Sequence, residues 1–151
     1  MPKSNWEQMP NGDMQIWCPH EFDLSGSAIQ VPIFYNEQLP DVWGNEVANI
    51  KAIIKGWFIV YTEASSADAG VTLELGYDGD PDYFDVVTSE VSKAQHYVQN
   101  ITQNSLSNDR VFSTNGKLIT AYCAGGKTGT GNVRIGLTIS FDYTHSISFT
   151  P

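Results

Sequence analysis

Near its C-terminal end the chain alternates without a break. Val133, Ile135, Leu137, Ile139, Phe141 and Tyr143 are apolar, and Arg134, Gly136, Thr138, Ser140 and Asp142 stand between them. A period of two puts one set on each face of an extended chain, so "NVRIGLTISFDYT" predicts a long strand with one buried side. "VTLELGY" repeats the pattern, with Val71, Leu73, Leu75 and Tyr77 on one face, and "KLITAYCA" predicts a further strand. "IKAIIKGWFIVYTEA" differs: Ile53, Trp57, Ile59 and Tyr61 are large, but so are Ile54, Phe58 and Val60. Bulk on both faces predicts a strand covered on both sides, near the centre of a sandwich.

The punctuation fits. "SSADAG" and "DGDPD" are turns, rich in residues that tolerate turn backbone. Between Val87 and Ile101 the spacing of Val87, Val91, Ala94, Val98 and Ile101 suits a helix, while "QHYVQNIT" reads as an alternating strand; at most a short helix is expected. The first 45 residues differ from the rest, holding Pro2, Pro10, Pro19, Pro32 and Pro40 together with Trp6, Trp17 and Trp43. Proline at this density opposes helices and central strands, and tryptophan gains nothing from staying in water. Residues 1–45 therefore predict an extended arm whose aromatics dock, either on the protein's own core or on a neighbouring subunit. "SGSAIQVPIFY" within it predicts a strand that Pro32 confines to an edge. The expected fold is all-β: a two-sheet antiparallel sandwich of about eight strands, jelly-roll-like, over residues 46–151, preceded by the irregular arm and a first edge strand.

Composition narrows the function classes. The 151 residues suit one domain, and 41% hydrophobic against 17% charged residues suits a real core. Residues 1–90 carry 15 acids and 3 bases, a net of −12, whereas residues 91–151 carry 2 acids and 5 bases, a net of +3. No basic footprint for nucleic acid is present, and an acidic surface repels anionic membranes. It can also steer docking onto a basic protein surface. No apolar run approaches a membrane span, and "MPKSNWEQMP" lacks a signal-peptide core, so a cytosolic chain is expected. Cys18 and Cys123 set no disulfide or metal framework by spacing; they read as small apolar side chains, with a bridge left open.

One stretch invites a catalytic reading. "AYCAGGKTGTGN" fits a relaxed phosphate-loop pattern from Ala121 through Gly126-Lys127-Thr128. Such a loop works at the start of a helix, whose N–H groups hold the phosphates. Here glycines and β-branched residues follow, so the segment predicts strand, glycine-rich hairpin, strand. Asp78, Asp80 and Asp82 in "GYDGDPDYFD" are weak calcium candidates, because the glycine falls second instead of sixth and no glutamate closes the loop. A solvated turn accounts for them. His20, His96 and His145 are isolated, and no nucleophile elbow or triad signature is visible. No catalytic residue, cofactor or resident metal is expected. Exposed tryptophans on a sandwich also suit sugar stacking, although three of the four lie in the proline-rich stretch instead of on a patterned strand face.

"VTLELGYDGDPDYFDVVTS", with "IKAIIKGWFIVYTEASSADAG" before it and "LITAYCAGGKTGTGNVRIGLTISFDY" after it, resembles small virion proteins of tailed bacteriophages over roughly residues 45–145. In such proteins a strand ends in a Leu/Ile-Gly step, an Asp-rich turn and an aromatic follow, and a Gly-Thr-Gly hairpin leads into a last long strand. The resemblance implies a capsid decoration, or cement, protein: a non-enzymatic homotrimer bound to the major capsid protein. It would be made in the host cytoplasm and carried on the virion surface. Terminal arms of such proteins reach adjacent capsomers, which makes Trp6, Trp17 and Trp43 the expected anchors. A phage tail or fibre component would share this fold, and a carbohydrate-binding sandwich is the other reading.

Overall fold

A computed structural model describes residues 6–8, 13–34, 51–66, 70–102, 111–113, 119–126 and 129–142. These form β1 (Trp6–Gln8), β2 (Met14–Asp23), β3 (Ile29–Phe34), β4 (Lys51–Glu63), β5 (Thr72–Tyr77), β6 (Asp80–Thr88), β7 (Val98–Thr102), β8 (Val111–Ser113), β9 (Ile119–Cys123) and β10 (Asn132–Asp142). No helix occurs among the described residues. Eight strands are five residues or longer and make two antiparallel sheets of four; β1 and β8 are three-residue additions to one of them. The larger sheet runs β1-β2-β10-β4-β7, with β8 also on β4, and the smaller runs β3-β9-β5-β6. Counting only the long strands, the orders are first-eighth-third-sixth and second-seventh-fourth-fifth, the nested pairing of a jelly roll.

That nesting corrects one expectation. The two strands flanking the glycine-rich segment are not a hairpin: β9 pairs β3 and β5, while β10 pairs β2 and β4 in the other layer. The glycines form a crossing between sheets. Gly125 has φ 61°, and a Cβ there would stand 2.1 Å from the Gly26 carbonyl oxygen. Gly126 N–H donates to that same oxygen at 2.8 Å, and Leu24 N–H donates to the Gly131 carbonyl at 2.9 Å. Both contacts fasten this crossing to the one between β2 and β3. Alternation alone cannot distinguish the two layouts, because strands side by side or in facing layers bury the same apolar set. The phosphate-loop reading fails as expected, since the chain leaves the crossing as the strand β10; Lys127 and Thr128 lie outside the described residues.

The proline-rich stretch contributes strands to both sheets. Of residues 1–45, most of the described part is strand: β2 lies inside the larger sheet, and Met14, Ile16, Cys18 and Phe22 are buried in the core. Pro19 is accommodated where the register with β10 breaks. Gly136 pairs Trp17 and Arg134 pairs Glu21, so three residues of β2 face Ile135 alone. β1 reaches only Met14–Ile16, which leaves Pro19 where no donor is required. Pro32 lies, as expected, on an edge, since β3 ends the smaller sheet. Between β6 and β7 the chain takes no helix; it turns sharply, with positive φ at Ser92 (57°) and His96 (75°).

The core lies between the layers. β10 contributes Val133, Ile135, Leu137 and Ile139, all fully buried, and Leu73, Leu75, Phe84 and Ile119 face them from the smaller sheet. On β4, Ile54 and Trp57 both point inward despite odd spacing. Thr138 pairs Gly56 and Ile139 pairs Ile54, so Lys55 is a bulge that resets the alternation. Trp57 then reaches across the core, and its Nε1–H donates to Asp85 Oδ2 of β6 at 2.9 Å, while Val86 N–H donates to Oδ1 at 2.9 Å. Burial raises the Asp85 pKa above the usual carboxylate range, and these two donors oppose that shift.

The folded protein therefore binds the Asp85 proton more tightly than the unfolded chain does. The contribution of this group is greatest below about pH 4 and is lost as pH rises through the raised pKa. Denaturant unfolding of the wild type and Asp85→Asn between about pH 3 and pH 6 should show the wild type losing stability relative to the variant. Parallel pH profiles would refute the raised pKa.

Candidate functional site

On the side of the larger sheet away from the core, one cross-strand row runs Trp17, Gly136, Phe58, Asn100 over β2, β10, β4 and β7. Gly136 makes the row possible. Its missing side chain leaves a slot that the Phe58 ring fills, and a Cβ there would stand 2.2 Å from Phe58 Cζ. Trp17 meets Phe58 edge-on, with centroids 4.9 Å apart and an interplanar angle of 85°. The Arg134 guanidinium stands 5.2 Å over the Trp17 ring, and Nη2 donates to the Cys18 carbonyl at 3.2 Å. Phe58 is buried yet does not belong to the core cluster, and Trp17 stays partly exposed. The result is a rigid aromatic surface with one cation held on it.

Of the three expected anchors, Trp17 is the one whose surroundings are described. Trp6 lies on β1 opposite Ile16, and Trp43 lies outside the described residues. Phe58 and Arg134 join the surface without having been singled out. Their signals were present: bulk on both faces of β4, and a lone glycine among the polar positions of β10.

The acidic turn behaves differently. Asp78 lies in the two-residue turn joining β5 to β6, and Asp80 and Asp82 follow on β6. No three His, Cys, Asp or Glu side chains among the described residues gather to hold a metal ion. The fourth carboxylate of that stretch, Asp85, is the buried partner of Trp57. On the outer face of the smaller sheet a row runs Gln30, Tyr122, Glu74, Val86. Burial, reinforced by the charge of Asp82, raises the Glu74 pKa.

Two further polar places stand out. A groove of about 350 Å³ at the β2–β3 crossing is lined by His20, Glu21, Asp23, Gly26, Ser27, Ala28 and Ile29. Asp23 Oδ1 accepts from Ser25 Oγ at 2.8 Å and from Ser25 N–H at 2.9 Å, which lowers its pKa and shapes the turn. The second place is the Tyr61 hydroxyl. It accepts the Glu90 N–H at 2.6 Å and donates to Gln99 Oε1 at 3.0 Å, and burial pushes its pKa up to about 12. This knot fixes the crossing from β6 to β7. Cys18 and Cys123 are free buried thiols; burial pushes Cys18 up to about 11 and raises Cys123 as well. They serve as small core residues.

No protein-family model matches the chain, and no curated protein is similar to it in sequence. Among solved structures, it is similar to a chain of the cyanophage Pam1 capsid asymmetric unit. That likeness has a TM-score of 0.47 and 14% identity, over 84% of this chain and 83% of that one.

If Gly136 is what seats the aromatic row, Gly136→Ala must displace Phe58 and with it Trp17. The variant should lose about 1–3 kcal/mol of stability in denaturant unfolding and shift the tryptophan fluorescence. Wild-type stability with unchanged fluorescence would show that the slot is not required.

Proposed function

We propose that this chain is a structural virion protein of a bacteriophage that binds the major capsid protein and stabilises the head as a decoration protein. One observation carries the docking part of this reading: Trp17 is held partly exposed on the outside of the larger sheet, backed by Phe58 and faced by Arg134. Tryptophan and arginine on a preorganised surface are the residue types that dominate protein–protein binding energy. The sheet holds their rotamers before a partner arrives, so little ordering is required on contact. The identity of the partner is supported by the resemblance of residues 45–145 to phage virion proteins. Many copies docked on one shell stabilise it together, because each binds the assembled state in preference to the dissociated one.

The role is a binding one, without catalysis. A net charge of −9 favours docking onto a basic partner surface and disfavours nucleic acid. A sugar-binding module is the second reading, since a tryptophan on a sheet face is also a stacking platform. The guanidinium of Arg134 over the Trp17 ring favours protein, because it already occupies one face that a sugar would need.

The full chain incubated with emptied phage heads should co-sediment with them and raise the temperature at which they break open. Trp17→Ala, with its fold checked by circular dichroism, should weaken head binding by about 30-fold or more, as expected for a central anchor. Binding unaffected by Trp17→Ala would remove the surface from the mechanism. A fluorescence response to oligosaccharides without head binding would favour the sugar reading.

A further inference from the structure

A partner that docks on Trp17 covers Arg134 as well, because the guanidinium lies over the indole, 5.2 Å from its centre. Arg134 is already half-buried before any partner arrives. A guanidinium carries five N–H donors and keeps its charge at any working pH. One of the five goes to the Cys18 carbonyl at 3.2 Å. No carboxylate among the described residues makes an ion pair with Arg134. Glu21 is its direct cross-strand neighbour on β2, yet Glu21 Oε2 accepts from Asn132 Nδ2–H at 3.5 Å and Arg134 lies towards Trp17 instead.

The Trp17 ring and the Cys18 carbonyl fix the plane of the guanidinium without supplying an opposite charge. On the bare surface, solvent can serve the other donors. A docked partner displaces that solvent, and covering a cation that has no counter-charge is strongly unfavourable. A backbone carbonyl from the partner would satisfy a donor but not the charge. A carboxylate does both, and it takes two parallel N–H groups at once. Because the guanidinium is already oriented, little further ordering is needed to make that contact.

We infer that the partner places a carboxylate on Arg134, beside the apolar group that it lays on Trp17 and Phe58, and that Arg134 thereby selects where the partner docks. The inference rests on the reading that this surface binds the phage head. Trp17 supplies apolar area that many hydrophobic groups could use. The fixed guanidinium admits such a group only next to a negative charge, which is a condition on specificity. Phosphate would fit the same fork, but a chain of −9 repels a nucleic-acid strand, which leaves a protein carboxylate as the ligand. The total charge acts at longer range and favours a partner that is basic as a whole. The pair at Arg134 acts at contact and chooses the place.

A charge series at position 134, read as the affinity of the full chain for emptied phage heads in co-sedimentation, tests this. The expected order is wild type, then Arg134→Lys, then Arg134→Gln, then Arg134→Glu. Lys keeps the charge and loses the planar fork, so it should recover part of the binding that Gln loses. Arg134→Gln should bind about tenfold or more weaker than the wild type, and Arg134→Glu, now facing a like charge, about tenfold weaker again. Glu21→Gln should bind as the wild type does. Arg134→Glu binding as well as Arg134→Gln or better overturns the inference, because no carboxylate then faces the position. Equal loss in Arg134→Lys and Arg134→Gln overturns it too, since the residue would only support the Trp17 ring. So does Glu21→Gln weakening binding as much as Arg134→Gln, which would make Glu21 the counter-charge. In these three cases Trp17→Ala still loses binding, and the docking surface stands without the carboxylate. A wild-type chain that does not bind heads, or Trp17→Ala binding undiminished, removes both together.

Discussion

Trp57 and Phe58 are neighbours on the central strand, and a pleated chain must send them to opposite faces. Most of what this protein is follows from that constraint. Trp57 points inward, spans the core and gives its indole N–H to Asp85, tying the larger sheet to the smaller one. Phe58 points outward, settles on Gly136 and supports Trp17 from below. The bulge at Lys55 sets this phase, because it brings Ile54 and Trp57 to the same side. The strand that holds the layers together is thus also the strand that builds the outer surface.

Around this strand the chain is arranged so that every connection between the eight long strands except β5–β6 crosses between layers. Crossings expose backbone groups that no sheet ladder satisfies, and the protein meets the cost locally. The glycine-rich crossing and the β2–β3 crossing bond each other through Gly126 and Gly26 and through Leu24 and Gly131. The β6–β7 crossing is bound by the Tyr61 hydroxyl and by Ser65, whose Oγ accepts from Lys93 N–H and donates to the Glu90 carbonyl. The contacts that close the ends of the sandwich also orient the strands at its edges.

Charge then sorts those surfaces. The β5–β6 hairpin gathers carboxylates at one edge, the aromatic row carries Arg134, and β7 carries no charge. Acidic, cationic-aromatic and neutral surfaces select different contacts by electrostatics and hydrogen bonding.

Several of these features were legible in the residues themselves. The period-two stripes of β5 and β10, the bulk on both faces of β4 and the edge placement of Pro32 follow from local stereochemistry, which no distant contact overrides. The failure of the phosphate-loop reading follows equally, since the residues after Gly131 prefer a strand. Alternation could not say that β9 and β10 lie in different layers, because either arrangement buries the same side chains. Nor could proline density show that Met14–Asp23 belongs to the core: Pro19 is tolerated only because the register with β10 skips at that point. Trp17, Phe58 and Arg134 are far apart in the chain and share no motif, so only the pairing of β2, β10 and β4 across Gly136 makes them one surface. Local periodicity determined which residues face inward. Long-range register decided which ones meet, because register depends on bulges and crossings whose cost is settled by the whole sheet.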